Sequence, residues 1–454
     1  MRKLLQGDQS VQELRVDWQQ NVGGRLLSQA GVGPDGSLAF VNDETLVVLR
    51  ADGSRQMSVP QGRDDWFNIF RAPVIHSGGV VAAGQSGLTS LDSTGRKRWH
   101  QDIGEVATRP VVSSDGTVFA AAGESMHAFS PDGEKLWSTS LREKLVELWR
   151  EERTAWANGL EQDLANPDKA HKKDVLEPLL DSARKELADP DFGKNLEIKL
   201  QGGPSLGPDG KLYCFTQVGP LFCLDQKTGE IEWVLPDKRN YLCEGGVAFS
   251  PEGDLLGVTG NSLLRVISPQ GEVRFDYAAF LEKRLDQTSE QEASEARRAG
   301  NMGSCGLPAL SPDGQTIYWA GRDGKLRAVD RQGNKRFTLE IPHRQGYAGE
   351  MDVSVGRDGT LYCANSQGLT ALSPQGEQLW RYETNDKYAY ATLVGDKVVL
   401  NTYSGEVFSL DCGTLNQKAA AALETSEPAP RIAVANGWVT IGGVRVKHRG
   451  QPAS

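Results

Sequence analysis

The chain has 454 residues, with 50 Lys and Arg against 60 Asp and Glu and a formal net charge of −10. That balance excludes the basic footprint with which nucleic-acid binders neutralise phosphates, and no stretch approaches the roughly 18 apolar residues of a membrane-spanning helix. Glycine is abundant, 51 residues, as suits a chain that turns often.

In chain order, the first ten residues carry two basic side chains but no apolar run, so they do not read as a secretory signal. The first strand-like segment is LRVDW at 14–18, and nothing before it supplies further strands of a sheet. Strand-and-turn units follow at 30–59, 71–99 and 108–137, and after an interruption at 202–233 and 245–275. A second interruption precedes units at 306–337, 352–380 and 391–413, and the chain ends on a strand-rich stretch at 430–448. The unit ending in LYCFTQVGPLFCLDQKTGEIEW (212–233) shows the pattern most clearly. Each unit runs strand, turn, strand, turn, strand, turn, and a fourth strand tipped by Trp or Phe. The turns read SPDG, KTG or a variant. Pro presets φ at the second turn position, Asp or Asn bonds the local backbone, and Gly accepts positive φ.

Four-stranded sheets of this size have two apolar faces and must stack on one another, and a period near 40 residues predicts a ring of blades. The whole chain, 1–454, reads as one closed all-β propeller. The stretch at 430–448 supplies three strands without a fourth, and 14–18 a fourth without three, so the two ends are expected to share a blade and clasp the ring. That count gives nine blades. Eight is the alternative, because the fourth strand of the eighth unit, near 415–423, is alanine-rich and poor in strand formers.

The first interruption, 141–200, changes period. Leu141, Leu145, Leu148, Trp149, Trp156, Leu160 and Leu164 form one helical stripe, Asn166-Pro167-Asp168 breaks it, and Val175, Leu176, Leu179, Leu180, Ala183 and Leu187 form a second. An antiparallel helical hairpin is predicted, whose tryptophans either fill its seam or remain available to a partner. The second interruption, 278–304, is charged, with a thin stripe of Phe280, Leu281, Leu285, Ala293 and Ala296, and is either a helix covered by something or a solvated loop.

The segment LDQKTGEIEW (224–233) resembles the repeat signature of the PQQ-like β-propellers, the family of quinoprotein alcohol dehydrogenases and BamB-type scaffolds. Looser copies are LDSTGRKRW (91–99), FSPDGEKLW (129–137) and LSPQGEQLW (372–380). The resemblance implies that Trp18, Trp99, Trp137, Trp233 and Trp380 pack between blades. Catalytic members often carry an adjacent cysteine pair and calcium ligands. Here Cys214, Cys223, Cys243, Cys305, Cys363 and Cys412 are all apart, the histidines have no zinc spacing, and GRDG at 321 and 356 reads as a turn.

The expected function is therefore a non-enzymatic protein-interaction scaffold, a subunit of a larger assembly, without cofactor or metal, in the reducing cytoplasm. Both interruptions follow a fourth strand, so both should rise from one face of the ring and mark the partner site, with Trp149 and Trp156 as its anchors. A quinoprotein-like or metal-dependent enzyme is one alternative. A carbohydrate-binding propeller using exposed aromatics such as Trp66 or Trp319 is the other.

Overall fold

The computed structural model describes residues 16–447 except 62–66, 68–70, 195–197, 199, 217–218, 237–245, 259–262, 280, 294–306, 322, 343–350, 366, 384–385, 387–388, 413–430, 436–437 and 442–443; at 201–202, 352 and 431–447 it describes the backbone alone. The strands form eight antiparallel sheets of four or more strands, the smaller of the two numbers expected. We number the blades 1 (31–60), 2 (74–102), 3 (111–140), 4 (200–235), 5 (248–284), 6 (309–340), 7 (352–383) and 8 (389–411).

Blade 8 draws three strands from Ala389–Val394, Lys397–Thr402 and Glu406–Asp411, and its fourth is Val16–Asn21, antiparallel to Glu406–Asp411. The N-terminal segment thus closes the ring, but not with the partner expected. Arg431–Ala435, Trp438–Ile441 and Val444–Lys447 instead extend blade 7, the first of them pairing parallel to Gln378–Glu383. The shared terminal blade, and with it the ninth, is corrected. The alanine-rich stretch near 415–423 lies outside the described residues, and Val16–Asn21 takes the place expected for its strand.

First strands of neighbouring blades touch one another around the axis from blade 1 to blade 4 and from blade 6 to blade 8. Second and third strands such as Gly79–Ala83 and Gly87–Leu91 are buried along their whole length because other blades cover both faces, and the first of these reads as an unbroken apolar run. The fourth strand of blade 8, Val16–Asn21, lies outermost and alternates. The core is a series of layers between blades: Ala39, Val41 and Val48 of blade 1 pack against Val80, Ala82 and Leu91 of blade 2.

One contact repeats at the outer edge of these layers. The fourth-strand indole of one blade lies on the glycine of the next blade's last turn and donates its N–H to the carbonyl of that turn's second residue. Trp18 bonds Ala51 O at 3.0 Å, Trp99 bonds Pro131 O at 3.0 Å, Trp137 bonds Gln226 O at 3.1 Å and Trp233 bonds Pro269 O at 3.1 Å. The glycine is needed twice over. At Gly133 φ is +88°, and a Cβ there would stand 2.5 Å from the Trp99 ring. Two residues beyond the indole, Gln101 and Thr139 add bonds to the carbonyls of Gly133 and Gly229 at 2.7 and 2.8 Å. Trp380 is fully buried at the layer between blades 7 and 8. Trp18, Trp99, Trp137 and Trp233 likewise pack on the layers between their blades and the next.

Two predictions follow from closure and from the indole seam. Deleting residues 1–21 strips Glu406–Asp411 of its neighbour and opens a sheet edge, so the variant should melt lower and aggregate; size-exclusion chromatography showing a monomer of unchanged Tm contradicts it. Gly133→Ala should lower Tm well beyond Gly210→Ala, because Gly210 has a similar φ of +76° but open space at its Cβ, leaving the indole clash as the difference. Equal losses in the two variants count against the seam.

Candidate functional site

Antiparallel pairing within each blade sends every fourth-to-first connection and every second-to-third turn to one face of the ring, and the remaining turns to the other. The two long insertions follow the fourth strands Lys135–Ser140 and Val273–Ala278 and so share the first face.

The first insertion is a hairpin of two helices, α1 (Arg142–Ala165) and α2 (Lys173–Ala188), joined by a 3-10 turn at Pro167–Lys172 whose start is capped by the Asn166 side chain. Its seam is Ala157, Leu160 and Leu164 against Leu176, Leu180, Ala183 and Leu187. Its base is not a loop but part of the ring: Leu141, Leu145 and Ile198 pack with Phe119, Met126, Leu212 and Phe222 of blades 3 and 4. Leu141 N–H donates to Glu124 O at 3.0 Å, Leu200 N–H to Gly123 O at 2.9 Å, and the Arg142 guanidinium meets the Glu124 carboxylate at 2.6 Å.

Neither tryptophan of α1 fills the seam. Trp149, half-buried, packs on Phe192 just past α2, with 5.2 Å between centroids. Trp156 is 37% exposed, with the Arg153 guanidinium 4.3 Å over its ring. The Arg153–Glu186 ion pair marks one flank of the hairpin and Glu161–Arg184 the other. Trp156 is three residues from Arg153, Leu179 is seven from Glu186 and Val175 four from Leu179, so all three share the Arg153 flank. Leu179 is 40% and Val175 63% exposed. The structure therefore leaves Trp156, Leu179 and Val175 as one apolar strip beside the seam. A sequence signal for it exists: the stripe on α2 is two columns wide, and a two-helix seam covers only one.

The second insertion is more ordered than a solvated loop through residue 293. Lys283–Arg284 adds a fifth strand to blade 5, Leu285–Gln287 is a 3-10 turn, and Leu281, Leu285 and Ala293 pack with Leu263 and Ala278. Ser289 and Glu292 form a reciprocal capping box, the Glu292 side chain accepting from Ser289 N–H at 2.9 Å and the Ser289 hydroxyl from Glu292 N–H at 3.2 Å. The Ser289 N–H and the Lys283 ammonium lower the Glu292 carboxyl to about 2. Phe280 and residues 294–304 of this segment lie outside the described residues. Arg284 reaches the seam between blades 5 and 6: its guanidinium is 5.0 Å over Phe275 and donates to Gln332 O at 2.6 Å, on the turn of Gly333. It supplies a planar N–H donor where Phe275 has none. The sequence reading missed this role, because nothing local distinguishes Arg284 from its charged neighbours.

Of the aromatics proposed for carbohydrate, Trp319 is fully buried against Tyr277, which removes it as a stacking platform, and Trp66 lies outside the described residues. Strongly displaced titrating groups are scattered through strands: burial lowers His127 to about 4, and raises the Cys223 and Cys412 thiols to about 12. Among the described residues no group of three or more His, Cys, Asp or Glu is placed to hold a metal ion, and no helix is long and apolar enough to cross a membrane.

Eight blades of four or more strands, with an indole on a turn glycine at four of their seams, make a β-propeller. The model of the family described as outer membrane protein assembly factor BamB matches residues 15–161. A BamB of Burkholderia pseudomallei (strain K96243) is 27% identical over 124 residues, 26% of this chain and 31% of that protein, so the match spans less than a third of that relative. Among solved structures, BamB from Moraxella catarrhalis aligns over 87% of this chain and 97% of its own, with a TM-score of 0.56 at 14% identity. The quinohemoprotein alcohol dehydrogenase from Comamonas testosteroni aligns over 87% and 76%, with a TM-score of 0.57 at 12% identity. Over residues 15–161 the chain is thus similar to the BamB family, and its wider likeness to solved structures is one of fold.

Proposed function

We propose that this propeller is a non-enzymatic protein-interaction scaffold, one subunit of a larger assembly, and that its partner docks on the face carrying the insertions. The observation that carries the reading is the hairpin. Its base is fixed in the core of blades 3 and 4, while Trp156, Leu179 and Val175 stand exposed along one flank. A rigid stalk bearing an aromatic and two aliphatic side chains can bury apolar area on a partner without first ordering itself, which is where interface energy is gained. The match to a family described as an assembly factor supports the same reading. The likeness to a dehydrogenase supports the enzymatic alternative through fold alone, since one propeller serves many chemistries.

Excising the whole of 142–199 would remove Leu145 and Ile198 from the core, so the informative variant cuts only 153–186 and joins the helix stumps with a short Gly-Ser turn. Tm should change little, and partners that co-purify with the intact chain should be lost. A well-folded variant that retains every partner overturns the docking face. The enzymatic alternative has its own readout. Mixed with pyrroloquinoline quinone and calcium and passed through gel filtration, the protein should emerge without quinone absorbance, and stoichiometric retention or dye-linked alcohol oxidation overturns the non-enzymatic reading.

A further inference from the structure

At the rim of the ring each fourth strand is the edge of its sheet unless another strand is added to it. Such an edge presents unpaired N–H and C=O groups and is a template for a further strand unless something protects it. The residue just before the seam side chain of the fourth strand shows how this chain protects its edges. Blades 1, 2, 4, 5, 6 and 8 place Gln56, Arg98, Glu232, Arg274, Arg336 and Asp17 there. Arg98 pairs with Asp132 at 3.0 Å and Arg274 with Asp254 at 2.8 Å, while Glu232 and Asp17 pair with Lys211 and Lys397. The two remaining blades carry leucine, Leu136 in blade 3 and Leu379 in blade 7.

The two leucines differ in their surroundings. Blade 7 has the added strand Arg431–Ala435, parallel to Arg381–Glu383, and there Leu379 is 3% exposed and the fourth strand is buried from 379 to 382. Blade 3 has no added strand among the described residues: Leu136 is 52% exposed, and Ser138 and Ser140 are exposed with it. Past Lys135 this strand has no charge and no proline. The Ser138 hydroxyl meets His127 Nδ1 at 3.0 Å, and burial holds that imidazole at about 4, uncharged at neutral pH. An aliphatic side chain beside hydroxyls leaves the edge without the usual protection.

Two strands supplied by the chain itself mark the stretch that takes an addition. Arg381–Glu383 of blade 7 and Tyr277–Ala278 of blade 5, the latter paired with Lys283–Arg284, stand at the register of Ser138–Ser140 and Thr139–Ser140 in blade 3. After blade 5 the insertion turns back to supply that strand. After blade 3 it leaves as α1 and does not.

We propose that the rim of blade 3 binds an extended aliphatic segment of a partner protein, added parallel to the fourth strand at Ser138–Ser140 as Arg431–Ala435 is added to blade 7, and covering Leu136. Main-chain hydrogen bonds supply the attachment and Leu136 the apolar contact. The site lies on the rim and not on the strip of Trp156, Leu179 and Val175, so neither reading rests on the other.

The test uses the full chain and a fluorescein-labelled peptide of sequence PAPRIAVANG, residues 428–437 of this chain, so that the strand added to blade 7 serves as the probe. Fluorescence anisotropy should show saturable binding. Leu136→Arg, which places at this edge the charge found in blade 2, should weaken it about tenfold, the worth of burying the exposed half of a leucine. Leu136 is exposed, so the variant keeps the fold. The same peptide N-methylated at Ile432 and Ala433 has lost two strand donors and should not bind. Absence of binding by the parent peptide, unchanged affinity in Leu136→Arg, or equal binding of the N-methylated peptide overturns the proposal. So does a dimer in analytical ultracentrifugation that dissociates in Leu136→Arg, which assigns this rim to a second copy of the chain.

Discussion

A flat ring can lie on a turn only where that turn has no side chain in the way, and the propeller is built on this steric fact. Trp18, Trp99, Trp137 and Trp233 each bury an apolar ring against glycine and satisfy their one polar atom on a backbone carbonyl. The contact therefore gains the area of a large aromatic without stranding an N–H. It also fixes the distance and rotation between blades, because ring and turn must meet at van der Waals contact and hydrogen-bond length together. A blade alone has two sticky faces. Eight of them stacked face to face make a ring.

Closure by Val16–Asn21 follows from the same economy. The last three-stranded unit needs an outer strand, and a strand from the far end of the chain joins first and last blades without a separate contact between them. Trp18 sits on that strand, so the strand that completes blade 8 also carries the indole that seals blade 8 to blade 1. Closure and seam are one element. The three C-terminal strands, left without a place in the ring, add to the outer edge of blade 7 by parallel pairing at Arg381–Glu383.

The repeat, the turns and the seam tryptophans were legible in the sequence because each rests on local chemistry: SPDG sets a turn wherever it falls, and an apolar run bounded by two turns is a buried strand. The pairing of the ends was not. Strand propensity at 14–18 and 430–448 is real at both places, but which edge each joins is decided by ring geometry that no local residue encodes. The weak fourth strand near 415–423 was the available clue, since a unit lacking its own outer strand must borrow one. The hairpin was legible as two stripes. Its seam was legible less well, because helical periodicity gives the face of a helix within a column or so, and the difference between Leu180 inside and Leu179 outside is one column.

The two insertions share a face but do different work, and the distinction rests on what each leaves uncovered. The second turns inward: it lengthens blade 5, covers Leu263 and Ala278 and spends Arg284 on a seam that Phe275 could not complete. The described part of it is a repair to the ring. The first begins the same way, with Leu141, Leu145 and Ile198 in the core, and then continues outward for about five more turns of α1, covered by α2 and, at Trp149, by Phe192. A repair could have ended at Leu145. The length beyond it, carrying Trp156 out along the hairpin, has no structural account in the ring itself, and that surplus is the physical ground of the proposal that a partner docks there.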